Sequence, residues 1–258
     1  MKQKSLEFIE YTKTRSIPAN HESLRDHRVV MGLHNDPRAD IFRVLRTNVL
    51  MQLRENNWKS IVITSPSPEA GKTFVAVNLA IGMALEGNQS VLLVDADLKH
   101  PSVCDYFGIE ATTGLADYLD SGYLKGTDCL SEMLVNPGIE RLVMLPGVNT
   151  EWSTPELLSS PQMVELVQDI KTRYESRIVI FDIPPLFVAD EAMVLLEYVD
   201  AAILVLEDGK HNAEEVQHSL RILENTNLLG TVLNKSRQSS ATYHYGYGYG
   251  YGARPAED

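Results

Sequence analysis

The chain has 258 residues, two cysteines, 44% hydrophobic and 22% charged residues, and a formal net charge of −12. That is enough chain for one large α/β domain with a buried core. Two thiols, Cys104 and Cys129, are too few for a disulfide framework or a zinc site, and the acidity argues against a nucleic-acid backbone as the main partner. No apolar run approaches the ~20 residues that cross a bilayer, and no apolar leader core follows Met1, so a cytoplasmic protein is expected.

In chain order, residues 1–34 are polar and weakly periodic and read as a mobile or extended arm. Charge is uneven: residues 1–60 hold 11 basic and 7 acidic residues, a balance of +4, which leaves −16 for the remainder. Such a basic front suits acidic lipid or an acidic partner surface, and equally a solvated face. Residues 36–55 predict an amphipathic helix with Ile41, Leu45, Asn48, Val49 and Leu53 near one face. Ser60–Thr64 predicts a buried strand and Phe74–Glu86 a helix. Further strands are expected at Val91–Asp95, Arg141–Leu145, Ile178–Asp182, Ala201–Leu206 and Gly230–Leu233, with helices at Glu156–Arg173 and Ala213–Asn225. Runs such as Val91-Leu-Leu-Val94 are continuously apolar, as a strand covered on both faces must be. Alternating strands and helices predict a doubly wound, mostly parallel sheet flanked by helices, with ligands beyond the C-terminal strand ends. The expected division is an arm at 1–34, a nucleotide-binding domain at 35–238 and a tail at 239–258. The tail carries Tyr243, Tyr245, Tyr247, Tyr249 and Tyr251 alternating mainly with glycine, a composition that disfavours packing.

The chemistry concentrates in the loop after the first strand, Ser65-Pro-Ser-Pro68-Glu69-Ala70-Gly71-Lys72-Thr73. A loop ending in Gly-Lys-Thr at a strand-to-helix junction holds polyphosphate: amide N–H groups and the helix dipole face the phosphates, Lys72 reaches the β/γ oxygens and Thr73 ligates Mg²⁺. Pro68, Glu69, Ala70 and Phe74 complete the candidate cradle for ATP. Two strands end in aspartate, at Asp95-Ala-Asp97 and Asp182-Ile-Pro-Pro. Either alone would read equally as a helix cap. In this order they complete a Mg²⁺ shell, and the extra carboxylate is suited to accept a proton from an incoming hydroxyl.

This set of motifs resembles the bacterial tyrosine kinases, ATP-dependent autokinases related to the MinD/ParA ATPases. The resemblance covers roughly residues 35–252. It includes Phe42-Arg43-Val-Leu-Arg46-Thr-Asn48, Val94-Asp95-Ala-Asp97-Leu, Gly114-Leu-Ala-Asp-Tyr-Leu119, Phe181-Asp182-Ile-Pro184-Pro185 and Val232-Leu-Asn234-Lys235. It implies that Lys72 clamps phosphates and that Asp95 is the base toward the tyrosine hydroxyl. Asp97 and Asp182 hold Mg²⁺ or its waters, Asn234 meets the adenine, and the five tail tyrosines accept phosphate from a neighbouring subunit. It further implies a ring-shaped homo-oligomer with Asp40, Arg43 and Arg46 at the contact, where the family has glutamate in the first place. The expected partners are a transmembrane polysaccharide co-polymerase that activates the kinase at the inner face of the plasma membrane, and a cognate tyrosine phosphatase. The implied setting is capsule or exopolysaccharide production.

Two departures stand out. The family loop usually reads Pro-Gly-Glu-Gly-Lys, against Pro68-Glu69-Ala70-Gly71-Lys72 here. A glutamate held at positive φ costs roughly 1 kcal/mol. Ser67 stands where MinD/ParA ATPases carry a signature lysine, which favours the kinase branch. The alternatives are a MinD/ParA-type ATPase switch and a non-catalytic nucleotide-binding assembly subunit.

Overall fold

The computed structural model describes residues 14–33, 36, 38–120, 129–148, 154–188 and 191–236. Among these, eight strands form one sheet: β1 (Arg15–Ser16), β2 (Ser60–Thr64), β3 (Ser90–Asp95), β4 (Val135–Asn136), β5 (Leu142–Leu145), β6 (Arg177–Asp182), β7 (Ala201–Glu207) and β8 (Asn227–Asn234). Their order is β1-β4-β5-β3-β6-β2-β7-β8. All neighbours are parallel except β4 and β5. The β2, β3 and β6 residues are buried throughout, as their unbroken apolar runs demand.

The helices are α1 (His21–Asp26), α2 (Ala39–Asn56), α3 (Lys72–Ala84), α4 (Val103–Phe107), α5 (Leu115–Asp120), α6 (Cys129–Met133), α7 (Thr154–Leu158), α8 (Pro161–Thr172), α9 (Glu191–Leu196) and α10 (Ala213–Ile222). One apolar cluster joins α1 to α4 to one sheet face, and a second joins α5 to α9 to the other. Phe107, Leu79, Ile81 and Leu53 are fully buried on the first side, Phe181 and Leu92 on the second. Among the described residues no helix is long and apolar enough to cross a membrane.

Three expectations need correction. Residues 14–33, read as part of a mobile arm, belong to the folded unit. β1 pairs with β4, and Leu24, Val29, Val30 and Met31 are buried, Met31 N–H donating to Asn78 Oδ1 at 3.1 Å. The segment consists of pieces too short to show a period, and its burial comes from β4, α4 and α3, on which they lie. Residues 1–13 lie outside the described residues, as does the expected tail at 239–258.

The helix expected over 156–173 is two, separated at Ser159 and Ser160. Pro161 lacks an N–H and suits only a first turn; Ser160 caps it, its side chain accepting from Met163 N–H. On α2 the buried stripe is Ala39, Phe42, Val49, Leu50 and Leu53, whereas Ile41 is 66% and Val44 62% exposed. The apolar residues of α2 cover more than one face, so spacing alone did not choose between them.

Candidate active site

The first helix after β2 begins at Lys72 rather than Phe74. Gly71 stands before it with φ of 92°. A Cβ there would meet Asn234 Nδ2 at 2.1 Å, so glycine suits both the conformation and the close approach of that side chain. Glu69 has φ of 66°, the left-handed conformation in which glutamate is strained by about 1 kcal/mol.

Sheet order brings the motifs together. β3 and β6 are neighbours, with Asp95 opposite Asp182 in register, and β6 also pairs with β2, which feeds the loop. Three distant stretches of chain therefore end side by side. Lys72 Nζ lies 2.9 Å from Asp97 Oδ2 and 3.4 Å from Asp182 Oδ1. Thr73 Oγ1 donates to Asp182 Oδ2 at 2.6 Å, and Ser102 Oγ donates to Thr73 Oγ1 at 3.3 Å.

Burial opposes charge on Lys72, yet Asp182 and Asp97 outweigh it and hold the ammonium well above its ordinary range. Burial raises Asp182, and the attraction of Lys72 and the Thr73 hydrogen bond offset only part of that rise. Asp95 is pushed up to about 8, first by burial and then by the charge of Asp182. Its Oδ2 accepts the Ser102 and Val103 amides at 2.8 and 2.9 Å, and its Oδ1 accepts Asp97 N–H at 3.3 Å. Asp95 thus caps α4, one layer beneath the surface that Asp97 presents.

A cavity of about 620 Å³ opens over this centre, large enough for a drug-sized ligand. Of the sequence-predicted residues, Pro68, Glu69, Gly71, Lys72, Thr73, Phe74, Asp97 and Asn234 line it. Ala70 is buried in the loop beneath, its carbonyl accepting from Asn234 Nδ2 at 2.8 Å. Asp95 and Asp182 are buried behind the lining. Asp40, Arg43 and Arg46 lie away from it on α2. Asp40 and Arg43 form an exposed ion pair, while Arg46 is partly buried with its Nη1 3.4 Å from Gly82 O. The five tail tyrosines lie outside the described residues.

Sequence reasoning gave no site role to nine further lining residues, among them Arg28, His100, Ser102 and Tyr106. Ser102 and Tyr106 follow the Asp-Ala-Asp motif closely and could have been found from it. Nothing in the sequence around Arg28 connects it to the loop 40 residues later.

The donor set tests the fit to Mg²⁺. Among the described residues no three histidine, cysteine or carboxylate side chains form a metal cage by themselves. One hydroxyl and two carboxylates beside a phosphate cradle are the hard, incomplete shell that Mg²⁺ shares with nucleotide phosphates. The loop, the helix terminus, the lysine and the strand-end carboxylates define a P-loop nucleotide-binding protein.

Comparison with known proteins narrows the class. The ParA family model (NUBPL iron-transfer P-loop NTPase) matches residues 57–246. The chain is 35% identical over 204 residues to the tyrosine-protein kinase YwqD of Bacillus subtilis, covering 78% of this chain and 82% of that one. It is 31% identical to the Escherichia coli tyrosine-protein kinase Etk over 77% of this chain, and spans 27% of Etk's length. The Etk kinase domain superposes with a TM-score of 0.72 at 28% identity, covering 93% of this chain and 95% of the domain. The chimerical protein CapA2B2 gives 0.72 at 28% identity, covering 87% and 94%. MinD of Pyrococcus horikoshii, at 23% identity and a TM-score of 0.57 over 70% and 72% of the two chains, shares the fold alone. The chain belongs to the bacterial tyrosine-protein kinases, a branch of the ParA-like P-loop NTPases.

Proposed function

We propose that this kinase transfers the γ-phosphoryl group of ATP to tyrosines of its own C-terminal cluster, on a neighbouring subunit, and that this controls capsule or exopolysaccharide production. The observation that carries the reading is the convergence of Lys72, Thr73, Asp97 and Asp182 within hydrogen-bond reach below an open cavity. Phosphoryl transfer needs positioning and charge stabilisation more than covalent participation. Lys72 and the α3 amides stabilise charge on the β/γ oxygens. Thr73, Asp97 and Asp182 would hold Mg²⁺, which supplies further neutralisation when bound. Asn234, at the cavity wall, is assigned to the base.

A phenol of pKa ~10 is a weak nucleophile at neutral pH and gains from a nearby base. Asp95 is assigned that role; burial and the charge of Asp182 raise its pKa, which makes its ionised form the stronger base. The proton of the tyrosine hydroxyl passes to the carboxylate as the new O–P bond forms and ADP leaves. The capping bonds to Ser102 and Val103 favour a second reading, in which Asp95 holds α4 in place and Asp97 takes the proton.

Asp40 and Arg43 are assigned to the subunit contact, together with Arg46. The likeness to the chimerical protein CapA2B2 supports a partner-activated enzyme; a membrane co-polymerase that recruits it to the inner face of the plasma membrane, and a counteracting phosphatase, complete the proposal. The test is incubation of the full chain with ATP and Mg²⁺ in the presence of the activator's cytoplasmic segment, followed by phosphopeptide mapping. Label on Tyr243–Tyr251 is expected, abolished in Asp97→Asn. Asp95→Asn should retain ATP binding and lose about 10²–10⁴-fold in rate. Phosphate release without label would instead mark a switch ATPase.

A further inference from the structure

The phosphate loop carries Glu69 where its family usually has a glycine, yet it is held at three points by side chains from the β7–β8 edge. Glu207 N–H donates to His211 Nδ1 at 3.0 Å, so the neutral ring carries its proton on Nε2. Nε2 in turn lies 2.9 Å from Ser67 Oγ and donates to it. Lys210 Nζ donates to Pro68 O at 2.9 Å, and Asn234 Nδ2 donates to Ala70 O at 2.8 Å. The residue between these anchors is Glu69, the one in the left-handed conformation. Ser65 Oγ closes the loop internally, donating to Ser67 O at 2.8 Å.

We propose that His211 is a positioning residue for nucleotide binding: through Ser67 it holds the phosphate loop in its receptive shape, with Lys210 as its companion on Pro68. The proposal deepens the kinase reading and rests on its assignment of this loop to ATP. The physical reason is preorganisation. A loop with Glu69 in place of a glycine, held at φ of 66°, must be kept in a strained conformation by its surroundings, and amides already aimed at the phosphates need no ordering when ATP arrives. A histidine whose Nδ1 is an acceptor can make this bond only while neutral. Protonation turns Nδ1 into a second donor facing the Glu207 N–H, and the contact with Ser67 loses its geometry.

The charged groups facing the ring are Glu215 from α10, and Glu207 and Lys210 from its own turn; Ser67 faces it from the loop. Burial, and then Lys210, lower the histidine's pKa against the opposing pull of Glu215 and Glu207. The sign follows: the neutral brace is still in place at the ordinary histidine value of ~6.5 and is lost as pH falls through the lowered value beneath it.

The test measures ATP affinity by calorimetry and KM for ATP by tyrosine phosphorylation, in the full chain, between pH 5 and 8. His211→Ala and Ser67→Ala should each weaken ATP about threefold to tenfold, the worth of one hydrogen bond, with KM rising and kcat changing less than threefold. The double variant should be no weaker than either single one. His211→Gln, whose amide can both donate and accept, should restore affinity and remove its fall below pH 6.5. Unchanged affinity in His211→Ala, additive losses in the double variant, or a wild-type affinity flat through pH 5 to 6.5 would each overturn the proposal. Because affinity is read separately from phosphorylation, a chain that binds ATP in this pattern but labels no tyrosine would refute the kinase reading and leave the brace standing.

Discussion

At the scale of single residues, Lys72 is the pivot. It is the cation of a buried group that includes Asp97 and Asp182, with Asp95 just behind. Removing one partner from such a group leaves uncompensated charge and costs about 3–5 kcal/mol. Lys72→Met should therefore destabilise the nucleotide-free protein by roughly that amount, besides abolishing transfer. The deficit should shrink as pH is lowered, because Asp182, already shifted upward by burial, can then take up a proton. Urea unfolding of both forms at pH 5.5 and 7.5 checks this, and a deficit independent of pH would contradict it. Glu69 shows the other residue-scale lesson. The strain of a non-glycine residue at φ of 66° is tolerated because the loop on either side is tied down, at Pro68 by Lys210 and at Ala70 by Asn234.

At the scale of elements, a second polar network fastens the opposite end of the sheet. Asp200, just before β7, accepts Lys59 N–H, Ser60 N–H and Ser60 Oγ–H on Oδ2, each at 2.8 Å, and Lys171 Nζ from α8 on Oδ1 at 2.6 Å. One carboxylate thus joins β2, β7 and α8 and sets the registry from which the phosphate loop departs. Burial alone would raise its pKa, but the bonds to Lys171, Lys59 and Ser60 lower it. A carboxylate held low contributes stability above its unfolded pKa of ~3.9, and that contribution is lost as pH falls through the folded value. Asp200→Asn should lower stability at pH 7 by about 1–3 kcal/mol, and the gap to wild type should close below pH 4. Chemical denaturation at pH 7 and 3.5 measures both; an equal gap at the two pH values would count against the network.

At the scale of the whole molecule, the proposal requires one chain's catalytic centre to meet another chain's tyrosines. Helix α2 carries Asp40 and Arg43 beside exposed Ile41 and Val44, a mixed apolar and charged face suited to a neighbouring subunit. If transfer runs between subunits, a Lys72→Met chain with its tail intact should be labelled when mixed with an active chain lacking residues 239–258. Neither should be labelled alone. Label confined to chains that carry both a working centre and their own tail would establish transfer within one subunit instead.

Much of this was legible from local pattern. The six principal strands follow from apolar runs, and the Gly-Lys-Thr loop, Asp-Ala-Asp and Asp-Ile-Pro-Pro declare their chemistry because phosphate and metal binding demand those residue types at strand ends. The branch of the family was readable too, in Ser67 and the tyrosine cluster. Local pattern could not show that residues 14–33 are folded, since such short pieces acquire stability only from the surfaces they cover, β4, α4 and α3. Nor could it choose the buried face of α2, or place Arg28, Tyr106, Lys210 and His211 around the loop. Those juxtapositions arise from strand order, which sets remote stretches of chain side by side through burial and hydrogen bonding that no single segment can satisfy by itself.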